Sequence, residues 1–417
     1  MSISTEIVRS VCRPYRKLEM KRRLKGATAT YEADWVDITD YVIDWPTIER
    51  GVSDDHVVGD FILPKLSVTL ENRRRAFEDY QSPFSLWYGL PTRYLTMFKI
   101  THGLYAAADG YDNTEVQGGT FYGVLFDEPV YSDDNTIKIS IGDVLQVFKL
   151  YAADLMTDTS SGLTSAIVQR FIDLALNGVS VFDKFFQIAE SITSGAITVT
   201  SPATDGKTIF EKIAEYSTVE GYMPEVSASG GFEWKARSAN GAVVWEFVGG
   251  ALSPDPVYGE SIMSIDQIED GSNYIFNSVN IEYADDTYAK ATRSWTPGDS
   301  SSYDLYGERL FDYVLHDLNQ DNATSFAEQI LSNNNAPHRR YKLTTRYIPH
   351  LNTFERVKVR YEGIPSNYDS VFGQARFGVN RFTEANGPIK INNRECKILS
   401  QRVDLNTFAC EFYLQEV

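Results

Sequence analysis

The sequence predicts a mainly β protein with an α+β insertion, and three observations carry that expectation. Period-two alternation of apolar and polar residues fills both ends of the 417-residue chain. Asp, Asn, Gly and Pro separate these short runs at turn positions. Apolar spacing changes to that of helices in the middle, and once more in the last third.

Taken in order, "KLSVTLEN" sets Leu66, Val68 and Leu70 on one face and Ser67 and Thr69 on the other. "TFYGVLFDEPVYSDDNTIKISIGDVLQVF" follows, with Ile137, Ile139 and Ile141 alternating. Its five acids, Asp127, Glu128, Asp133, Asp134 and Asp143, read as strand punctuation rather than as ligands. Asp127 and Glu128 precede Pro129 at a bend, Asp133, Asp134 and Asn135 suit a hairpin turn, and Asp143 can cap a short apolar helix from Val144 to Phe148.

Leu163, Ile167, Phe171 and Leu174 then recur at helical spacing, with Gly178 at the stop. A second helix is predicted from Thr208, where Glu211 completes a capping box and Ile209, Ile213 and Tyr216 form the stripe. "YMPEVSASGGFEWKAR" reads as a hairpin turning at Ser229, Gly230 and Gly231. "SVNIEYADD" and "RVKVRYEG" alternate as strands, a helix with Asp321 or Asn322 as its cap buries Phe326, Ala327, Ile330 and Leu331, and a closing strand pair turns at Asp404, Leu405 and Asn406. The expected division is a first β domain at 1–151, an α+β unit at 152–260 and a second β domain at 261–417.

Composition narrows function. A net charge of −18 opposes general attraction to nucleic-acid phosphate. The first segment is locally basic, and Arg13, Lys17, Arg22 and Arg23 are candidates for pairing with acidic surfaces of neighbouring subunits. Three dispersed cysteines offer neither a disulfide framework nor a four-ligand zinc site, and Cys410 reads as a small core residue beside Phe412 and Leu414. No apolar run reaches a membrane span and no signal-peptide core opens the chain, so cytoplasmic folding is expected.

Chemical motifs fall short on residue grounds. "SPATDGKT" has Ser201 where a phosphate-binding loop needs its first glycine. Asp317, Asn319, Asp321 and Glu328 match an EF-hand in spacing, but Asn322 occupies the glycine position and the segment also reads as the start of a helix. The five histidines show no paired helical spacing, and no serine-hydrolase elbow occurs. Abundant Trp, Tyr and Asp leave a carbohydrate-active hydrolase or lectin-like protein as an alternative. "TRSWTPGDSSSYDLYG" is expected to be a long exposed loop, with Trp295 and Tyr303 as candidate partner anchors.

The order of pieces carries a resemblance. "WVDITDYVIDWPTIERGV", "LPKLSVTLEN", the acidic strand pair, the helical insertion, "SNYIFNSVNIEYADD", "RRYKLTTRYIPHLNTFERVKVRYEG" and the closing strands together resemble the baseplate hub proteins of tailed bacteriophages, including the trimeric hub of contractile-tailed phages. The resemblance implies two tail-tube-type β-barrel domains, at 1–151 and 261–417. It further implies a non-enzymatic homotrimer that caps the tail tube, binds distal-tail or baseplate proteins, holds the tape-measure protein and passes DNA through a channel without specific binding. No cofactor is implied, and the location would be the virion after assembly in the host cytoplasm. A different β-rich virion component, such as a distal tail protein, is a further alternative.

Overall fold

A computed structural model of the chain describes residues 12–22, 31–52, 61–77, 85–87, 96–106, 114–132, 135–153, 160–178, 191–199, 206–226, 231–236, 241–250, 261–269, 271–284, 287–292, 305–334, 337–362 and 390–417. The fold is mainly β, with one closed six-stranded barrel and one half-barrel sheet.

The half-barrel is built from β1 (Pro14–Lys21), β2 (Val36–Asp37), β3 (Val42–Asp44), β5 (Lys65–Glu71), β6 (Met97–Tyr105), β7 (Glu115–Leu125), β8 (Val130–Tyr131) and β9 (Thr136–Asp143); β4 (Thr47–Gly51) leaves it. The strand order is β2-β1-β6-β7-β9-β5-β3, so its two end strands are successive pieces of one short segment, broken by a 3-10 turn at Thr39–Tyr41. The alternation in β5 and β9 buries Leu66, Val68, Leu70, Ile137, Ile139 and Ile141, as the sequence predicts. Asp143 accepts a hydrogen bond from the Leu145 amide at 2.8 Å and caps a 3-10 helix at Val144–Leu150.

The inserted unit contains β10 (Gly162–Leu163), α1 (Thr164–Gly178), β11 (Ser191–Ile192), β12 (Thr198–Val199), α2 (Ile209–Glu220), β13 (Tyr222–Val226) and β14 (Phe232–Ala236). Most of its predicted features recur: α1 buries Ile167 and Phe171, whereas Leu163, predicted on the same stripe, lies before the helix in β10 and is exposed; β13 and β14 pair antiparallel, their Ser229–Gly230 turn lying outside the described residues. The Glu211 amide donates to the Thr208 hydroxyl at 3.3 Å and the Thr208 amide to the Glu211 carboxylate at 2.7 Å, completing the capping box of α2. Gly221 ends the helix in the left-handed conformation at φ +67°.

The closed barrel comprises β15 (Trp245–Gly250), β16 (Ile262–Glu269), β20 (Arg340–Arg346), β21 (Arg356–Glu362), β22 (Lys390–Asp404) and β23 (Ala409–Glu416); pairing runs β21-β15-β16-β20-β23-β22 and returns to β21. Strand β15 precedes residue 261 in the chain yet pairs in parallel with β21 from Trp245↔Val357 to Gly250↔Glu362. Between β16 and β20 a lobe of β17 (Ser278–Ala284), β18 (Thr287–Thr292), β19 (Leu310–Val314) and α3 (Gln320–Asn334) is inserted. Helix α3 begins earlier than its sequence suggests: the cap is Asn319, whose side chain accepts from the Asn322 amide at 2.9 Å, rather than Asp321 or Asn322. An amide oxygen one residue before the helix reaches the free N–H groups that residues already inside it cannot.

One apolar core runs through both β units. Leu18, Trp45, Phe98 and Ile139 from the half-barrel belong to the same buried cluster as Phe247, Leu343, Ile398 and Phe412 from the barrel. The other face of the half-barrel, through Met97 and Val124, packs on α1, α2 and Trp234. None of the described helices is long and apolar enough to cross a membrane.

Candidate assembly site

The junction of the two β units is organised by the segment from Val36 to Gly51. Its first part closes on β1 and its next on β5; β4 then crosses over and pairs antiparallel with β22, from Thr47↔Asp404 to Gly51↔Ser400. The hairpin turn after β22 docks back on the crossover. Asn406 accepts from the Trp45 amide at 3.1 Å and donates to the Trp45 carbonyl at 2.7 Å and to Asp44 at 2.9 Å. The Arg16 guanidinium donates to the Leu405 carbonyl and lies 4.8 Å from the Trp45 ring and 5.3 Å from that of Phe408. These polar and cation–π contacts tie strand ends that the shared core holds from within.

Deeper in the junction, His102 of β6 and Tyr347 share a 2.7 Å hydrogen bond. His102 is only 2% exposed; burial, with a smaller push from Arg50, lowers its pKa to about 3. A cavity of about 260 Å³ opens beside it, where β4, β7, β13 and the loop before β21 meet, and Arg50, Asp143, Glu225, His350 and Gln401 help line it. Arg50 donates to the Thr120 carbonyl. Burial raises Asp143 to about 6 although the Leu145 amide and Arg50 pull it down, and burial lowers His350 to about 4, its ring 5.2 Å from that of Trp245.

This grouping predicts how stability varies with pH. His102 and His350 stay neutral in the fold but protonate in the unfolded chain below about 6.5, so both remove stability as pH falls through that value. Asp143 acts oppositely, since between about 6 and its ordinary value the folded form holds the extra proton. These three groups therefore leave a net loss of about 1.4 kcal/mol per pH unit between pH 6 and 4. Denaturant midpoints across that range should fall more steeply in Asp143→Asn and less steeply in His102→Gln; parallel curves would contradict the assignment.

A second polar core joins the two insertions. Lys212 of α2, 1% exposed in its side chain, lies 2.8 Å from Asp317, 2% exposed, while the Tyr216 hydroxyl donates to the same carboxylate oxygen at 2.7 Å and Glu215 stands 2.7 Å from the ammonium. Around it Val219 packs with Val279, Ile281, Phe326 and Ile330 of the lobe. The EF-hand-like spacing is thereby divided between two tasks, with Asp317 facing a buried ammonium and Asn319 capping α3. Among the described residues no group of three or more His, Cys, Asp or Glu could hold a metal ion.

The basic residues singled out from sequence do not converge on one patch of unpaired charge. Arg13 lies over the Tyr105 ring at 5.0 Å, Lys17 pairs with Glu19 at 2.9 Å and Asp37 at 3.7 Å, and Arg22 pairs with Glu32 and donates to the Leu86 carbonyl at 2.8 Å. Arg23, Trp295 and Tyr303 lie outside the described residues. Cys410 is buried, and burial pushes its thiol up to about 12, as suits a packing residue. Sequence reading passed over Lys212, although its place between Ile209, Ile213 and Tyr216 puts a cation in the buried stripe of α2. Arg50, His102 and His350 meet only through long-range pairing and leave no local signal.

No family model and no curated protein matches this chain. Among solved structures it is similar to the tail protein from Neisseria meningitidis MC58, at 10% identity over 96% of each chain with a TM-score of 0.53. It is also similar to the prophage tail protein gp18 from Listeria monocytogenes EGD-e, at 9% identity over 96% of this chain and 94% of that one, with a TM-score of 0.50. The class this defines is architectural: the chain has the fold of phage tail proteins. The two matches extend over nearly the whole length of the chain.

Proposed function

We propose that this chain is a non-enzymatic structural component of a bacteriophage tail tip or baseplate, acting as its hub. The observation that supports this best is the end-to-end correspondence of the fold with phage tail proteins. The physical design agrees with it: two β units share one core and are stitched by β4 and the Asn406 turn, which suits a part that carries load. In this reading three copies form a ring presenting six β units to a tail tube, with distal-tail and baseplate proteins at its rim, the tape-measure protein within and DNA passing without specific contact. Its acidity then keeps phosphate from adhering. Arg13, Lys17 and Arg22 are engaged within the chain, so the rim contacts of this proposal are placed at Arg23 and at the segment bearing Trp295 and Tyr303.

The test is mass in solution followed by electron microscopy, alone and with a tail-tube protein. A particle of about 141 kDa, three times the 47.0 kDa chain, with a three-fold ring and central bore, is the expected result. A protein that stays monomeric in the presence of tail proteins would overturn the hub assignment.

A further inference from the structure

The lobe inserted in the closed barrel carries a strand edge that pairs with no other strand among the described residues. Its sheet has the order β18-β17-β19, with Val279, Ile281, Ala289 and Ala291 packed on α3 and the opposite face open. On the open face lie two cross-strand rows: Lys290, Asn280 and Asp312, then Tyr288, Glu282 and Val314. A groove crosses these rows. At the outer edge, β19 reads Leu-Phe-Asp-Tyr-Val, with Leu310 45% and Val314 57% exposed.

The backbone of β19 is poised for pairing. The Arg309 carbonyl and the Leu315 amide both bond towards β17, so by strand alternation the amides and carbonyls of Leu310, Asp312 and Val314 point away from the sheet. Its register with β17 is unbroken, whereas β18 pairs through a shift at Glu282 and Ala284 and carries Lys290. Other sheet ends among the described residues are only two or three residues long, carry Pro224, or, as in β4, link the two β units. Edge strands are ordinarily protected by such devices, and of these β19 has only one, the single exposed charge of Asp312 at its centre.

We infer that β19 is a docking edge for an extended segment of a different protein, with a Lys or Arg set opposite Asp312 and apolar residues opposite Leu310 and Val314. Asp312 decides the occupant. A second copy pairing antiparallel about the centre of this five-residue strand would set Asp312 against itself, and like charges directly opposite destabilise a strand pair. A cation there instead pairs with Asp312, which already accepts from Asn280 at 2.9 Å, and the backbone bonds supply the rest of the affinity. This assignment rests on the edge itself and stands whether or not the chain is a tail hub.

The probe is a capped peptide with a central Lys, a Val two residues to each side and Thr between, titrated against the full-length protein. It should protect the 310–314 segment from hydrogen exchange and bind at least about tenfold more tightly than the same peptide centred on Glu, a gap that narrows at high salt. Asp312→Lys, at an exposed position that the core does not use, should reverse the preference. Absence of protection at millimolar peptide, or equal binding of the Lys and Glu peptides, would overturn the inference.

Discussion

Replacing Asp317 with Asn is expected to destabilise the union of the two insertions by about 3–5 kcal/mol, because it leaves the Lys212 ammonium buried without its full counter-charge. The effect is large because both side chains are almost wholly removed from water, and the Tyr216 hydroxyl is aimed at the same carboxylate oxygen. Glu215 also stands beside the ammonium, but it shares its charge with Lys207 and so cannot take over the whole of it. Lys212→Met should be comparably harmful, whereas the double variant Lys212→Met/Asp317→Leu should recover most of the loss, since an apolar pair needs no desolvation of charge. Denaturant unfolding combined with hydrogen exchange over α2 and α3 gives the measurement. A loss below about 1 kcal/mol for Asp317→Asn would mean that the pair behaves like a surface salt bridge.

Gly51→Ala should separate the half-barrel from the closed barrel where β4 ends. Gly51 has φ +121°, and a Cβ there would meet the Leu399 carbonyl oxygen at 2.2 Å and the Ser400 Cα at 2.7 Å. Both are backbone atoms of β22, so relief requires the strands to part; the cost is about 3–5 kcal/mol, from the unfavourable dihedral and the clash together. Exchange protection should fall along Ser400–Asp404 while the interior of the closed barrel remains protected. Thr47→Val, at the far end of the same strand, should change stability by only about 0.5 kcal/mol. If Gly51→Ala melts like the parent protein, the crossover is not what joins the two units.

Local pattern made much of this fold legible. Leu66, Val68 and Leu70 face inward because a strand repeats every two residues, and Thr208 and Glu211 cap α2 because a hydroxyl and a carboxylate three residues apart reach each other's amides. Of the five acids between Thr120 and Phe148, Asp143 caps its helix as its place suggests and Asp127 pairs with Lys65 at 2.5 Å, while Asp133 and Asp134 lie outside the described residues. The cap of α3 was misplaced because Asn319, Asp321 and Asn322 are chemically alike, and only backbone position separates them.

The candidate site was much less legible, for a different reason. Arg50 sits in "TIERG", where alternation says only that Ile48 and Arg50 lie on the same side, and no local rule brings it to Thr120, Asp143 and Glu225. His102 and Tyr347 are separated by most of the chain, as are Trp45 and Asn406. Nor could composition show that residue 245 begins a strand of the closed barrel, or that two insertions would meet over Lys212 and Asp317. Periodicity, caps and turns act within a few residues, so the amino-acid order alone determined the elements, their inward faces and the β-rich class. Which edges pair, which charges become buried and which strand is left open depend on contacts between distant segments, and those were decided only when the chain closed on itself.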